Sequence, residues 1–193
     1  MKLALTGGIA CGKSLAASFM AARGLAVCEA DALAHQAMAQ GTAVYDAVVD
    51  RFGAGIVAPS GELDRGLLGA RVFASAQERE DLNALVHPAV ETLWTAWMLQ
   101  QRCAAVVVVP LLFEGGYDRG WDAIVCVGAS REVRKARLLR RGLNENEARV
   151  RMGAQWAGRK KAARSDYVLW NDGSADGLEA QVERVLNSIG RQG

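Results

Sequence analysis

No CxxC pair, no long apolar run and few aromatic residues occur in this chain. The four cysteines, Cys11, Cys28, Cys103 and Cys126, stand singly, and the two histidines, His35 and His87, lie near none of them in sequence. That scatter argues against a zinc site and against a disulfide framework. It suits reduced thiols that pack as small hydrophobes, as in a cytosolic protein. The longest apolar run, residues 104–112, contains Pro110 and covers about half of a membrane span. The opening MKLALTGGIAC has Lys2, a short apolar stretch and a cysteine, but glycines interrupt it before it could serve as a signal-peptide core. A cytoplasmic protein with no membrane partner is the expectation. Internal repeats and low-complexity tracts are also lacking. The 193 residues suffice for one packed core with insertions, not for two large independent domains.

The net charge of +2 conceals an asymmetry. Residues 131–164 hold twelve Lys and Arg against three Glu, so the rest of the chain is acidic. A basic stretch of this kind suits nucleic acid or a small polyanion. Its single aromatic, Trp156, gives bases little to stack on, which points away from nucleic acid.

Strand-like and helix-like patterns alternate. Strands are expected at 3–6, 25–30, 104–109, 123–128 and 167–170, and helices at 12–23, 131–141 and 175–189. Four consecutive valines in the third strand suit burial on both faces of a parallel sheet. The alternation implies an α/β fold with a mostly parallel sheet. Two segments interrupt it. Residues 32–103 carry helical patterns at 31–40, 42–52, 66–74, 77–86 and 88–101, with a turn-rich loop at 53–62, and read as an inserted helical domain. Residues 142–165 are basic and helix-prone and read as a lid. The remaining residues, 1–31 with 104–141 and 166–193, would form the core.

Gly7, Gly12, Lys13 and Ser14 follow the G-x4-G-K-S spacing of a P-loop, after a strand and before a helix. Glycines let the backbone curl so that successive N–H groups face phosphate oxygens, and the helix N-terminus adds partial positive charge. The expected phosphate-binding set is Gly8, Ile9, Ala10, Cys11, Gly12, Lys13, Ser14 and Leu15. Lys13 would reach the β- and γ-phosphates of ATP, and the Ser14 hydroxyl would ligate Mg²⁺. No Asp follows Val109 at the end of the valine strand, unlike the metal-binding strand of switch GTPases and motor ATPases. A helical insertion and a basic lid suit a kinase for a small acceptor, which must exclude water from the transfer. The competing reading is a regulatory switch or a nucleic-acid-stimulated ATPase, which the missing switch motifs disfavour.

Asp31 ends the second strand, the edge where ligands of open parallel sheets bind. A carboxylate there could orient a hydroxyl nucleophile and take its proton. It could equally cap the following helix. The residues alone leave both roles open.

Several blocks now stand in order: LTGGIACGKS at 5–14, AD at 30–31, FG at 52–53, GELDR at 61–65, Leu82 with His87-Pro88, and VPLLFE at 109–114. They continue with a lid pattern from Arg140-Arg141-Gly142-Leu143 to Gln155, and DYVLWNDG at 166–173. Over almost the whole chain this resembles the dephospho-CoA kinase family. The resemblance implies a three-layer P-loop kinase fold with an inserted helical substrate domain and a helical lid. It implies transfer of the ATP γ-phosphoryl group to the ribose 3′-hydroxyl of dephospho-CoA, giving coenzyme A and ADP, with Mg²⁺ as cofactor. Asp31, Lys13 and Arg140 match the family's catalytic positions. Thr6, Asp31, Arg65, His87, Pro110, Leu111 and Glu114 fall in blocks expected around the acceptor. Arg140 and then Lys161 are the lid cations expected to meet phosphate. Arg65 also reads as a surface ion-pair partner, and His87 as structural. Nothing in the residues indicates an oligomeric state.

The chain departs from the family pattern in places. Glu29 stands where Asp is usual, Ala10 and Cys11 where Gly and Ser are common, and Leu15 where Thr is. Backbone amides do the gripping, so the loop tolerates side chains unless φ is positive; at position 10 a positive φ would cost an alanine roughly 1 kcal/mol.

Overall fold

The computed structural model describes residues 1–191. A five-stranded sheet has the order β2-β3-β1-β4-β5. Its strands are β1 (Lys2–Gly7), β2 (Ala26–Glu29), β3 (Ala105–Val108), β4 (Ala123–Gly128) and β5 (Tyr167–Trp170). All the pairings are parallel, with Leu5 opposite Val108 on one side and Val125 on the other. The expected mostly parallel α/β sheet is therefore parallel throughout the described residues.

Parallel strands need crossovers, and helices supply them. In chain order these are α1 (Lys13–Ala22), α2 (Ala30–Ala37), α3 (Ala43–Phe52), α4 (Arg65–Ala74), α5 (Ala76–Leu99), α6 (Arg131–Arg140), α7 (Glu145–Gly153), α8 (Gly158–Ala162) and α9 (Ala175–Gly190). Alternation in the strands sends Leu3, Leu5, Val106, Val108, Val125 and Val127 to one sheet face, where they bury Ala16, Ala17 and Met20 of α1 and Leu178 and Val182 of α9. Helix α8 packs against β1 and β4. No helix is long and apolar enough to cross a membrane among the described residues.

The chain divides into two compact units, one of Met1–Glu29 with everything from Gln101 onward, the other of Ala30–Gln100. The first holds the sheet. In the second, α2, α3 and α4 all pack on α5, which buries Val86, Val90 and Trp94. Side-chain caps start its helices: Thr42 accepts from Tyr45 N, Asp64 from Leu67 N and Ser75 from Glu78 N. The proline was expected to divide two helices at His87-Pro88. Instead α5 runs unbroken from Ala76 to Leu99 with Pro88 inside. A mid-helix proline removes one backbone hydrogen bond and costs about 3 kcal/mol. Three helices packed along its length outweigh that cost.

Candidate active site

The loop between β1 and α1 is shaped by three glycines that nothing larger could replace without displacement. A Cβ on Gly7 (φ 145°) would lie 2.3 Å from the Val127 carbonyl oxygen. One on Gly12 (φ 100°) would lie 2.0 Å from Asn171 Nδ2, and one on Gly8 would lie 2.9 Å from Arg134 Cζ. Gly12 precedes α1 in the left-handed conformation and brings no side-chain cap to the helix amides. Those amides, with the helix dipole behind them, are the groups an anion takes. Lys13 Nζ folds over the loop and donates to the Gly7 and Gly8 carbonyls at 3.1 and 3.2 Å. Ala10 has φ 59°, the one non-glycine positive φ among the described residues. The strain considered from its identity is thus present, and the burial of Ala10 against Leu138 and Ala148 helps to offset it.

Other elements brace the loop from outside. Buried Asn171, just past β5, donates Nδ2 to the Cys11 carbonyl at 2.8 Å. Arg137 of α6 donates Nη1 to the Ala10 and Cys11 carbonyls at 3.2 and 3.3 Å, and Nη2 to the Asn171 carbonyl at 2.8 Å. Ile9 is held on both its polar groups: its N–H donates to Gln155 Oε1, and its carbonyl accepts from Arg134 Nε, each at 2.8 Å. Arg134, Arg137 and Asn171 were not among the expected site residues. A usable signal existed, since Arg134 and Arg137 are three apart on one side of α6 and Asn171 belongs to the DYVLWNDG block.

Arg140, the expected lid cation, is the last residue of α6 and is exposed. Lys161, the next expected, is wholly buried. Its Nζ donates to the Pro110 carbonyl at 2.6 Å and pairs with Glu114 Oε1 at 2.9 Å. The same Glu114 oxygen accepts from Trp156 N at 2.9 Å. Phe113 and Trp156 stack with ring centroids 6.3 Å apart, and Lys160 Nζ sits 3.3 Å from the Trp156 ring centroid. Residues 155–161 are thus fastened to the turn after β3 and to the P-loop. Thr6, buried at the end of β1, reaches the Pro110 carbonyl only at 3.5 Å, and Leu111 is half-buried in the same turn. Ser14 and Leu15 open α1, with Leu15 exposed. Burial pushes the Cys126 thiol up to about 11, so it stays protonated and inert at neutral pH.

The other expected residues lie in the helical unit. Asp31 is the second residue of α2 and is exposed. Because α2 begins at Ala30, Asp31 sits inside the first turn rather than at the cap position, favourable to the helix dipole. Arg65 opens α4, and its Nη1 lies 3.1 Å from His35 Nδ1. Both border a cavity of about 370 Å³ shared with Met38, Leu63 and Leu68. His87, half-buried in α5, has its pKa lowered by burial, which favours the neutral ring.

Comparison with known proteins bears on this arrangement. A family model described as dephospho-CoA kinase matches residues 1–177. A dephospho-CoA kinase of Symbiobacterium thermophilum is 43% identical over 186 residues, covering 94% of this chain and 78% of the relative. One from Thermosynechococcus vestitus is 41% identical over 196 residues, covering 100% of this chain and 97% of its own. The crystal structure of a Thermus thermophilus protein superposes with a TM-score of 0.83 at 32% identity, covering 97% of each chain.

Proposed function

The chain belongs to the dephospho-CoA kinase family, and we propose which of its residues carry the reaction that family performs. The enzyme uses ATP to phosphorylate dephospho-CoA, giving coenzyme A. The observation that supports a donor site at residues 7–14 most strongly is the loop itself: glycines that admit no side chain, an α1 N-terminus without a side-chain cap, and Lys13 arched over the loop carbonyls. Gly8 to Leu15 bind the phosphates of ATP, chiefly through backbone amides. Lys13 holds the γ-phosphoryl group as its bond to the leaving oxygen breaks.

Asp31, two residues past the end of β2, orients the ribose 3′-hydroxyl and accepts its proton as the new P–O bond forms. ADP leaves with the bridging oxygen. Arg65, His87, Thr6, Pro110, Leu111 and Glu114 contribute to holding the acceptor, and Arg140 and Lys161 belong to the lid function of residues 142–165. Lys161 acts there as a brace for Glu114, since it is already buried against that carboxylate. Residues 32–103 serve as the acceptor domain.

The donor chemistry around the P-loop fits Mg²⁺. Ser14 offers a hydroxyl in the first turn of α1, and no cluster of three His, Cys, Asp or Glu competes for the ion among the described residues. Mg²⁺ characteristically takes few protein ligands alongside substrate phosphates. When bound it neutralises charge on the transferring group.

Asp31→Asn tests the assignment. ATP affinity by calorimetry should be retained, while kcat falls by about 10²–10⁴-fold. Unchanged turnover would leave Asp31 as a helix-dipole residue alone.

A further inference from the structure

Arg134 is the guanidinium at the P-loop with a terminal nitrogen both buried and unpartnered among the described residues. It is only 8% exposed, yet its Nη2 is buried with no hydrogen-bond partner. Its Nε is taken by the Ile9 carbonyl at 2.8 Å. Its Cζ and Nη2 lie 2.9 Å from where a Cβ on Gly8 would be, and its Nη1 lies 3.9 Å from the corresponding point on Gly158. The guanidinium is therefore enclosed between P-loop residues 8–9 and the start of α8, beside the Gln155 to Ile9 N–H contact.

Arg137, three residues on, provides the control within the same helix. Its Nη1 and Nη2 are both spent on carbonyls of Ala10, Cys11 and Asn171. That is how an arginine looks when its role is to hold a loop together. Arg134 makes one such bond and leaves Nη2 buried without a partner among the described residues. Leaving a buried charged donor unpaired costs several kcal/mol in real proteins unless a counter-charge arrives. No carboxylate pairs with Arg134 among the described salt bridges. Burial also pulls its pKa below the usual arginine value, the mark of a cation held away from water.

We infer that Arg134 is a phosphate ligand of the donor site, giving its free Nη2 to a phosphoryl oxygen of ATP while Nε keeps the Ile9 carbonyl in place. A planar guanidinium can place one arm on the protein and one on the ligand, whereas a lysine would keep only the charge toward the ligand. Gly8 matters for a related reason: a side chain there would push the guanidinium aside.

The inference rests on residues 7–14 being the ATP site, and the test separates the two. ATP binding in Mg²⁺ is measured by calorimetry for wild type, Arg134→Gln, Arg134→Lys and Lys13→Ala, with thermal melts for each. Glutamine can still donate to the Ile9 carbonyl but lacks the charge and the second arm; lysine keeps the charge but lacks the Ile9 bond. A phosphate ligand predicts that Arg134→Gln weakens ATP about tenfold or more and that Arg134→Lys weakens it less. Wild-type affinity in Arg134→Gln, or Arg134→Lys binding no better than Arg134→Gln, overturns the inference and leaves Arg134 as a loop brace. Should Arg134→Gln fail to fold, Arg134→Lys decides alone: affinity within about threefold of wild type supports the contact, and any larger loss refutes it. Lys13→Ala binding ATP normally would instead overturn the donor-site assignment itself.

Discussion

The P-loop and the helical unit are built in opposite ways. Around the loop, carbonyls of Ile9, Ala10 and Cys11 are each met by a side chain from a distant part of the chain, and glycines leave no slack. In the helical unit exposed pairs, such as Arg51 with Asp81 and Arg65 with His35, stand beside part-buried ones such as Arg71 with Glu78 and the Phe52 carbonyl, over an apolar core on α5. Exposed pairs of this kind are worth little, about 0–1 kcal/mol each. Phosphate binding needs amides held in advance, and the cross-chain bracing of the loop supplies that.

The largest expected effect breaks the rigid side. Gly12→Ala puts a methyl 2.0 Å from Asn171 Nδ2 and forces an alanine to φ 100°, so the loop must rearrange. Activity should fall by about 10³-fold or more with ATP binding lost, and partial recovery in Gly12→Ala/Asn171→Ala would show that the clash is the cause. Trp94→Ala probes the other side. Removing this buried ring from α5 should cost about 3–5 kcal/mol in urea unfolding of the helical unit while ATP affinity stays within about threefold. A large loss of ATP affinity in that variant would blur the contrast.

A smaller effect concerns pH. The folded pKa of His87 is lowered below 6.5 by burial, so the unfolded chain binds more protons as pH falls below that value. Stability should therefore be full above about 6.5 and decline on acidification, and His87→Asn should flatten that part of the profile. The smallest effect is Ala10→Gly. Relief of the positive φ is offset by greater freedom of the unfolded chain and a lost buried methyl, so the melting free energy should change by less than about 1 kcal/mol.

The P-loop was legible in the sequence because its requirements are local. Gly7, Gly12, Lys13 and Ser14 announce themselves by spacing, and the valines of β3 by their buried run. Contacts between remote positions were not legible. Asn171 meets Cys11 across 160 residues and Arg134 meets Ile9 across 125, and no local pattern says which of twelve cations in residues 131–164 faces the loop. Lys161 was expected to meet phosphate as a lid cation; the structure buries it against Glu114, a pairing between positions 47 residues apart that no local pattern announces. Pro88 misled through a local rule that tertiary packing overrode.

The most direct test of the central claim is acceptor-dependent ADP release with Mg-ATP, with dephospho-CoA, adenosine and shikimate supplied in turn. Dephospho-CoA alone should sustain turnover, and its product should be coenzyme A, heavier by one phosphoryl group. ADP release that ignores the acceptor, or that is as fast with adenosine or shikimate, would contradict the account.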